Sequence, residues 1–276
     1  MAANILRCGE AQWEIGKRTY IMGILNVTPD SFFDGGRFLT APEAIERAWE
    51  MVAQGADIID VGGFSTRPGH CPVSVEEEIS RILPVIERLA AELPVPISVD
   101  TFRAEVAERA LKAGAAMIND VWGLRADRQM AQVVARHNAA VVIMHNQVAP
   151  CYADLINEVK GFLQTSVHLA LEAGISRDKI VVDPGFGFGK TAGHNLTMLR
   201  RLAELRDLSL PLLVGASRKS TIGKVLDLPV TERLEGTAAT VALAIAGGCD
   251  MVRVHDVLAM KRVAKMADAV VRGWQD

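Results

Sequence analysis

ISVDT, residues 97–101, is an apolar run of strand length that closes on a carboxylate, Asp100. The same pattern recurs along the whole chain. GILNVT closes on Asn26, IIDVGG on Asp60, MINDVW on Asn119, VVIMHN on His145 and IVVDPG on Asp183. LLVGASRKS closes on Ser217 with Arg218 and Lys219, and VRVHD on Arg253 with His255. A barrel of eight parallel strands gathers the carboxyl ends of its strands at one mouth, where enzymes of that architecture keep their sites. Polar residues spread from position 26 to position 255 then meet in one pocket, and that convergence marks the chain as an enzyme.

The segments between the runs support this reading. Near-continuous apolar strands are expected at about 20–27, 57–61, 96–99, 117–118, 140–144, 180–182, 211–214 and 251–254, as in a parallel sheet covered on its outer face by helices. Helical signals fill the gaps at about 41–54, 75–93, 103–112, 127–136, 154–172, 195–205, 233–246 and 258–272. The first carries Ala44, Ile45, Ala48, Trp49 and Val52 on one face and stops at Gly55, and the second opens at Ser74 with acidic residues in its first turn. Residues 1–18 alternate polar and apolar positions around Trp13 and Ile15, with a turn at Gly16-Lys17, and predict a small hairpin under the barrel. The fold class is therefore α/β, a TIM (β/α)8 barrel with a short N-terminal β-hairpin, in one domain over residues 1–276.

Composition narrows the function. Half of the 276 residues are apolar, ample for one sizeable core. A net charge of −3 with acids and bases interspersed leaves no basic stripe for nucleic acid. No apolar run approaches the roughly 20 residues of a membrane helix, and MAANILRCGEAQW lacks the charged region and apolar core of a secretory signal. Cys8, Cys71, Cys151 and Cys249 are isolated and read as reduced thiols, neither a disulfide framework nor a zinc site. The expectation is a soluble cytoplasmic protein.

Asp100, Asn119 and Asp183 close strands three, four and six. Carboxylate and amide groups can read the N–H edge of a nitrogen heterocycle, although Asp100 equally suits a helix cap and Asp183 a turn before Pro184. The loops after strands seven and eight often form the phosphate site of this fold. SRKS at 217–220 and the Arg253–His255 pair would there hold an anion such as pyrophosphate. Asn26 offers one oxygen ligand for magnesium and equally a plain turn residue before Thr28-Pro29. GFGFGKT at 185–191 fails as a P-loop, because the required first glycine is Pro184. Phe186 and Phe188 more naturally wall a pocket for a flat ring. STRPG at 65–69 offers small donors and Arg67 over an anion, or simply a turn. Met144 and Val121 read as core or as packing for a bound ring.

Together these segments resemble the dihydropteroate synthases. The matching stretches are IMGILNVTPDSF, IIDVGG, STRPG, ISVDT, INDVWG, IMHN, DPGFGFGKT, GASRKS, RLEGTAAT and VRVHDV, in the family's order from Ile21 to Val257. The resemblance implies condensation of 6-hydroxymethyl-7,8-dihydropterin pyrophosphate with p-aminobenzoate to give 7,8-dihydropteroate and pyrophosphate in folate biosynthesis, a transferase reaction. It implies a pterin held by Asp100, Asn119, Asp183 and Lys219, with Val121 and Met144 packed on the ring. Pyrophosphate and Mg2+ would fall to Asn26, Arg253 and His255. Phe33, Asp34, Thr66, Arg67, Pro68, Phe188, Lys219 and Ser220 would build the aminobenzoate side, and Gly215 would line the substrate site. Asp100, Lys219, Arg253 and His255 form the implied catalytic set. Sulfonamides, which mimic p-aminobenzoate, are the implied inhibitors, and a homodimer through the apolar final helices is the implied assembly.

Two positions depart from the family pattern. Phe64 stands in GGFS where GGES is usual, and Phe33 in SFFDGG where SFSDGG is usual. Both touch the aminobenzoate side, so an altered sulfonamide response is expected. A methyltetrahydrofolate–corrinoid methyltransferase would keep the strand-end Asp and Asn set but has no need of SRKS, RVH or STRPG. A pterin-binding relative without catalysis would use the fold for interaction only, and intact Asn26, Lys219, Arg253 and His255 argue against it.

Overall fold

The computed structural model describes residues 5–27, 41–63 and 73–274. β1 (Ile5–Cys8) and β2 (Ala11–Glu14) form the antiparallel hairpin. Its turn is at Gly9, which takes φ +56°, and not at Gly16-Lys17, which lies in the connection to the next strand. The alternation around Trp13 and Ile15 belongs to the second arm of the hairpin and its exit, which displaces the turn toward the N-terminus.

Eight strands follow: β3 (Tyr20–Asn26), β4 (Ile58–Gly62), β5 (Ile97–Asp100), β6 (Met117–Asp120), β7 (Ala140–Met144), β8 (Ile180–Asp183), β9 (Leu213–Val214) and β10 (Met251–Val254). They pair in parallel in the order β8-β7-β6-β5-β4-β3-β10-β9. A parallel bridge from Val182 to Leu212 joins the two ends, with the Val182 N–H donating to the Pro211 carbonyl at 2.9 Å. The sheet thereby closes into the expected barrel.

The helices described are α1 (Ala41–Ala53), α2 (Val75–Glu92), α3 (Ala104–Lys112), α4 (Met130–Arg136), α5 (Leu155–Glu172), α6 (Ala192–Arg200), α7 (Ser220–Leu226), α8 (Leu234–Ala246) and α9 (Val257–Arg272). α6 begins three residues before the expected position because Thr191 caps it. The Thr191 hydroxyl accepts from the His194 N–H at 3.1 Å, and the His194 ring accepts from the Thr191 N–H at 3.4 Å. A separate 3-10 segment, Leu202–Leu208, takes up the rest of the expected helix. α7 is an additional short helix directly after SRKS. None of the described helices is long and apolar enough to cross a membrane.

The two-residue period of the strands sorts their side chains. Ile21, Ile59, Val99, Ile118, Val141, Val182, Val214 and Val252 face outward and pack with the inner faces of the helices. Tyr20, Met22, Ile58, Met117, Val142, Val181, Leu213 and Met251 fill the barrel and meet Leu6, Cys8 and Trp13 of the hairpin. The interior below the strand ends is thus packed mainly with apolar side chains, with Ser98 of β5 a buried polar exception. The same alternation carries Asn26, Asp60, Asp100, Asn119, Met144, Asp183 and Arg253 onto the inward face one layer higher, at the mouth.

Candidate active site

The register places the mouth residues side by side. Asp100 is paired with Gly62 and with Asn119, and Met144 with Asp183. Two glycines leave space between them. A Cβ on Gly62 would lie 3.5 Å from Asn26 Oδ1 and 3.8 Å from the Asp100 Cβ, and one on Gly215 would lie 3.8 Å from the Arg253 Cβ and 4.0 Å from Asp183 Oδ2. The gap they leave is bordered by Asn26, Asp100, Asp183 and Arg253, four of the residues picked out by sequence.

The centre of the site is a buried ion cluster. Arg253 Nε donates to Asp60 Oδ2 at 2.6 Å, and its Nη2 donates to Asp100 Oδ2 at 2.8 Å. Asn119 Nδ2 also donates to Asp60 Oδ2, at 3.1 Å. The second oxygen of each carboxylate, Asp60 Oδ1 and Asp100 Oδ1, is buried and has no hydrogen-bond partner among the described residues. A buried acceptor without a donor costs about 1–3 kcal/mol, so a ligand that brings N–H groups gains by supplying them. Burial pushes the Asp100 carboxyl upward, opposed by Arg253 and reinforced by the nearby Asp60 and Glu78. Burial likewise raises Asp183 to about 6, although its Oδ1 accepts from the Gly185 N–H at 2.7 Å and Lys219 opposes the shift.

Val121 and Met144, each 3% exposed, stand beside these groups at the ends of β6 and β7. Lys219 Nζ lies 4.1 Å over the ring of Phe188, which ties the loop after β9 to the loop after β8. Phe186 does not share that role. It is 2% exposed and packs outward in the core beneath the helices, so only one of the two phenylalanines borders the site. Ser220 is exposed at the start of α7.

The loop after β8 is held from behind. Lys190 Nζ donates to the carbonyls of Gly185 and Phe188, both at 3.1 Å, and lies 2.9 Å from His145 Nδ1. Burial lowers both partners, Lys190 to about 7 and His145 to about 3. Gly187 N–H donates to Asn195 Oδ1 at 2.9 Å, and Asn195 Nδ2 in turn to Thr221 Oγ1 at 2.9 Å. Gly185 has no substitute here. At φ +71° its Cβ would sit 1.9 Å from the His145 carbonyl oxygen.

The basic residues after β9 and β10 divide. His255 Nδ1 is 3.0 Å from Ser217 Oγ, and both lie at the mouth. Arg218 departs from the sequence expectation. With φ +54° it turns away, donates from Nε to Asp256 Oδ2 at 2.7 Å and from Nη2 to Asp256 Oδ1, and so joins the two loops structurally. An anion at the mouth would meet Arg253, Lys219 and His255, without Arg218. Phe33, Asp34, Phe64, Thr66, Arg67 and Pro68 lie outside the described residues.

Two participants take roles that the sequence reading did not assign to them. Asp60 is fully buried and anchors both Arg253 and Asn119. Its signal is a carboxylate within IIDVGG, matched by an arginine within VRVH, since a buried charge requires its opposite. Lys190 announces itself less clearly, because a lysine in a glycine-rich loop looks like a solvated one.

The chain matches the family model described as pterin binding enzyme over residues 22–255. It is 48% identical over 268 residues to the dihydropteroate synthase of Clostridium beijerinckii, covering 97% of this chain and 100% of that protein. The crystal structure of dihydropteroate synthase from Clostridium difficile in the presence of pteroic acid superimposes with a TM-score of 0.91 at 55% identity, over 94% of this chain and 99% of that one. The Yersinia pestis dihydropteroate synthase in a sulfonamide drug complex gives 0.92 at 39% identity, over 96% and 98%. With a family model matched over residues 22–255 and relatives of about half identity over nearly the whole chain, the chain belongs to the pterin-binding enzymes and, within them, to the dihydropteroate synthases.

Proposed function

We propose that this chain joins 6-hydroxymethyl-7,8-dihydropterin pyrophosphate to p-aminobenzoate, using the inward-facing strand-end residues as its machinery. The observation that carries the assignment of the pterin site is the buried carboxylate oxygen Asp100 Oδ1, without a hydrogen-bond partner among the described residues, on a residue that borders with Asp183 the space left by Gly62 and Gly215. An aminopyrimidine edge is rich in N–H donors and suits acceptors of that kind. Val121 and Met144 supply apolar surface for the rings, and Gly215 leaves room for them.

In the reaction the C–O bond from the pterin methylene to pyrophosphate breaks, its electron pair leaving with pyrophosphate. The aniline nitrogen forms the new C–N bond and loses a proton. Positioned cations that meet the developing charge are typically the largest catalytic contribution. Arg253 is fixed for this by Asp60 and Asp100 while its Nη1 makes no hydrogen bond among the described residues. Lys219 and His255 stand on the neighbouring loops. The amine is neutral near pH 7 and needs placement more than activation. Phe188 under Lys219, Ser220, and the residues Phe33, Asp34, Thr66, Arg67 and Pro68 are assigned to the aminobenzoate side.

Magnesium fits this donor set only together with the substrate. No group of three or more His, Cys, Asp or Glu among the described residues could hold a metal ion. Asn26 Oδ1, beside the Gly62 gap, is one oxygen ligand of the kind that is completed by phosphate oxygens and water. When bound there, magnesium would neutralise charge on the leaving pyrophosphate.

We further assign the chain to the cytoplasm, consistent with Cys8, Cys151 and Cys249 as free thiols, and to a homodimer. Leu243 on α8 and Met266 and Val270 on α9 are 58%, 67% and 73% exposed on helices that pack together, an apolar face suited to a second copy. The deciding experiment measures pyrophosphate release with magnesium, the pterin pyrophosphate and p-aminobenzoate, omitting each in turn. Release that needs all three, with an equal amount of dihydropteroate, establishes the synthase. Pterin binding without turnover would reduce the reading to a pterin-binding protein.

A further inference from the structure

A second cavity opens on the mouth side, one step further out along β5, β6 and β7 than Asp100, Asn119 and Met144. It has a volume of about 560 Å³ and is lined by Phe102, Trp122, Arg125, Ala126, Asn146 and Phe162. None of these residues belongs to the set assigned above to pterin, pyrophosphate or aminobenzoate. Its size falls in the range of small-molecule pockets, and its make-up follows their usual pattern of apolar and aromatic walls with a few polar groups.

The polar groups are all donors or amide. Arg125 is exposed, lies 4.0 Å over the Phe162 ring, and has no carboxylate partner among the described residues. The side chains of Asn146, 9% exposed, and Trp122 also make no hydrogen bond there. No acidic side chain stands among the described residues that line the cavity, so its electrostatic preference is for an anion.

The walls are braced. Phe162 stands edge-on to the His145 ring at 4.8 Å. Behind it, Gly123 has no room for a side chain, because a Cβ would lie 2.8 Å from Phe162 Cε1 and 2.8 Å from the Met144 carbonyl oxygen. Stacking on Phe162 therefore holds the Arg125 guanidinium plane in place while the N–H groups along its edge remain available. Trp122 provides a flat face on another side, and Phe102, with the Arg103 guanidinium 5.6 Å from its ring centroid, completes the wall.

We propose that this cavity is a second ligand site, outside the barrel, for a small planar aromatic carboxylate whose charge meets Arg125 and whose ring lies against Trp122. The site is independent of the condensation reaction.

The test uses 4-(trifluoromethyl)benzoate as probe, read by 19F line broadening against full-length protein, with 4-(trifluoromethyl)benzamide as its uncharged counterpart. The carboxylate is expected to bind, and the benzamide to bind about tenfold more weakly or worse, the scale of one charge-assisted hydrogen bond. Arg125→Ala should weaken the carboxylate by a similar factor and Phe162→Leu by less. Lys219→Ala, which alters the barrel site, should leave it unchanged. The benzamide comparison is made on the unaltered protein and needs no variant to fold. Equal affinity for carboxylate and benzamide would overturn the proposal. So would binding that survives Arg125→Ala but disappears in Lys219→Ala, since the probe would then occupy the barrel.

Discussion

Lys190 Nζ lies 2.9 Å from His145 Nδ1, and the same ammonium caps the carbonyls of Gly185 and Phe188. One side chain thus ties the end of β7 to the loop that carries Asp183 at its root and Phe188 at its tip. Replacing it by methionine leaves two carbonyls without a donor. Lys190→Met is expected to lower stability by about 2 kcal/mol, seen as a fall in Tm. It should also weaken pterin binding about tenfold by calorimetry while the Kd for p-aminobenzoate moves less. An unchanged pterin Kd would show that the loop keeps its shape without the lysine.

Asp60 touches no expected reacting atom, yet it fixes the direction of Arg253. Asp60→Asn removes the charge and leaves the arginine to Asp100 alone, which would draw the guanidinium across the site. The expected result is a kcat lowered by about a hundredfold, the scale of one misplaced electrostatic group, with KM for p-aminobenzoate little changed. Steady-state kinetics with both substrates varied would check it.

Burial raises Asp183 to about 6 and raises Asp100 as well. Each folded-state pKa stands above its unfolded value, so the folded chain holds these protons more tightly than the unfolded one. The destabilisation they cause is fully present above the folded pKa and fades as pH falls toward the unfolded value near 4. A pterin that donates N–H bonds favours the ionised carboxylates and must displace those protons. Binding of 6-hydroxymethylpterin, which lacks titrating phosphates, should therefore release protons near pH 6 and little near pH 8, with affinity rising between pH 5 and 7. Calorimetry in two buffers of different ionisation enthalpy measures this directly. Proton uptake on binding would contradict the assignment of these acids as acceptors.

Phe64 and Phe33 are aromatic where the family pattern usually carries Glu and Ser. Restoring the acid with Phe64→Glu is expected to shift inhibition by sulfamethoxazole by about tenfold, equivalent to the gain or loss of one charged hydrogen bond. Inhibition and turnover that both stay constant would mean that position 64 does not bear on the aminobenzoate side.

The barrel is legible in the sequence because its signal is repeated. Eight apolar runs ending in polar residues suit few architectures besides a closed parallel sheet, and strand alternation then decides which side chains look inward. The site is legible to the extent that its residues end strands: Asp100, Asn119 and Asp183 sit where the pattern puts them. Arg218 escapes the pattern because a single left-handed residue in SRKS reverses the direction of a side chain, and nothing in a serine-arginine-lysine string shows that reversal. Phe186 and Phe188 are two apart in a loop, so the strand rule does not apply and one of them turns into the core. The cap at Thr191 depends on a histidine standing where a capping box usually has an acid or amide, which hides the true start of α6.

The hairpin of Leu6, Cys8 and Trp13 gives the barrel a solid floor. Among the described residues the lower end is closed, which leaves the mouth beside Asp100, Asn119 and Asp183 as the way in. Traffic through such a well runs last in, first out. On the proposed assignment, a pterin at that depth would have to arrive before its partner and would stay until whatever rested on it had gone. A mimic of the upper substrate would then act as a stopper, holding the lower occupant in its seat without competing for it.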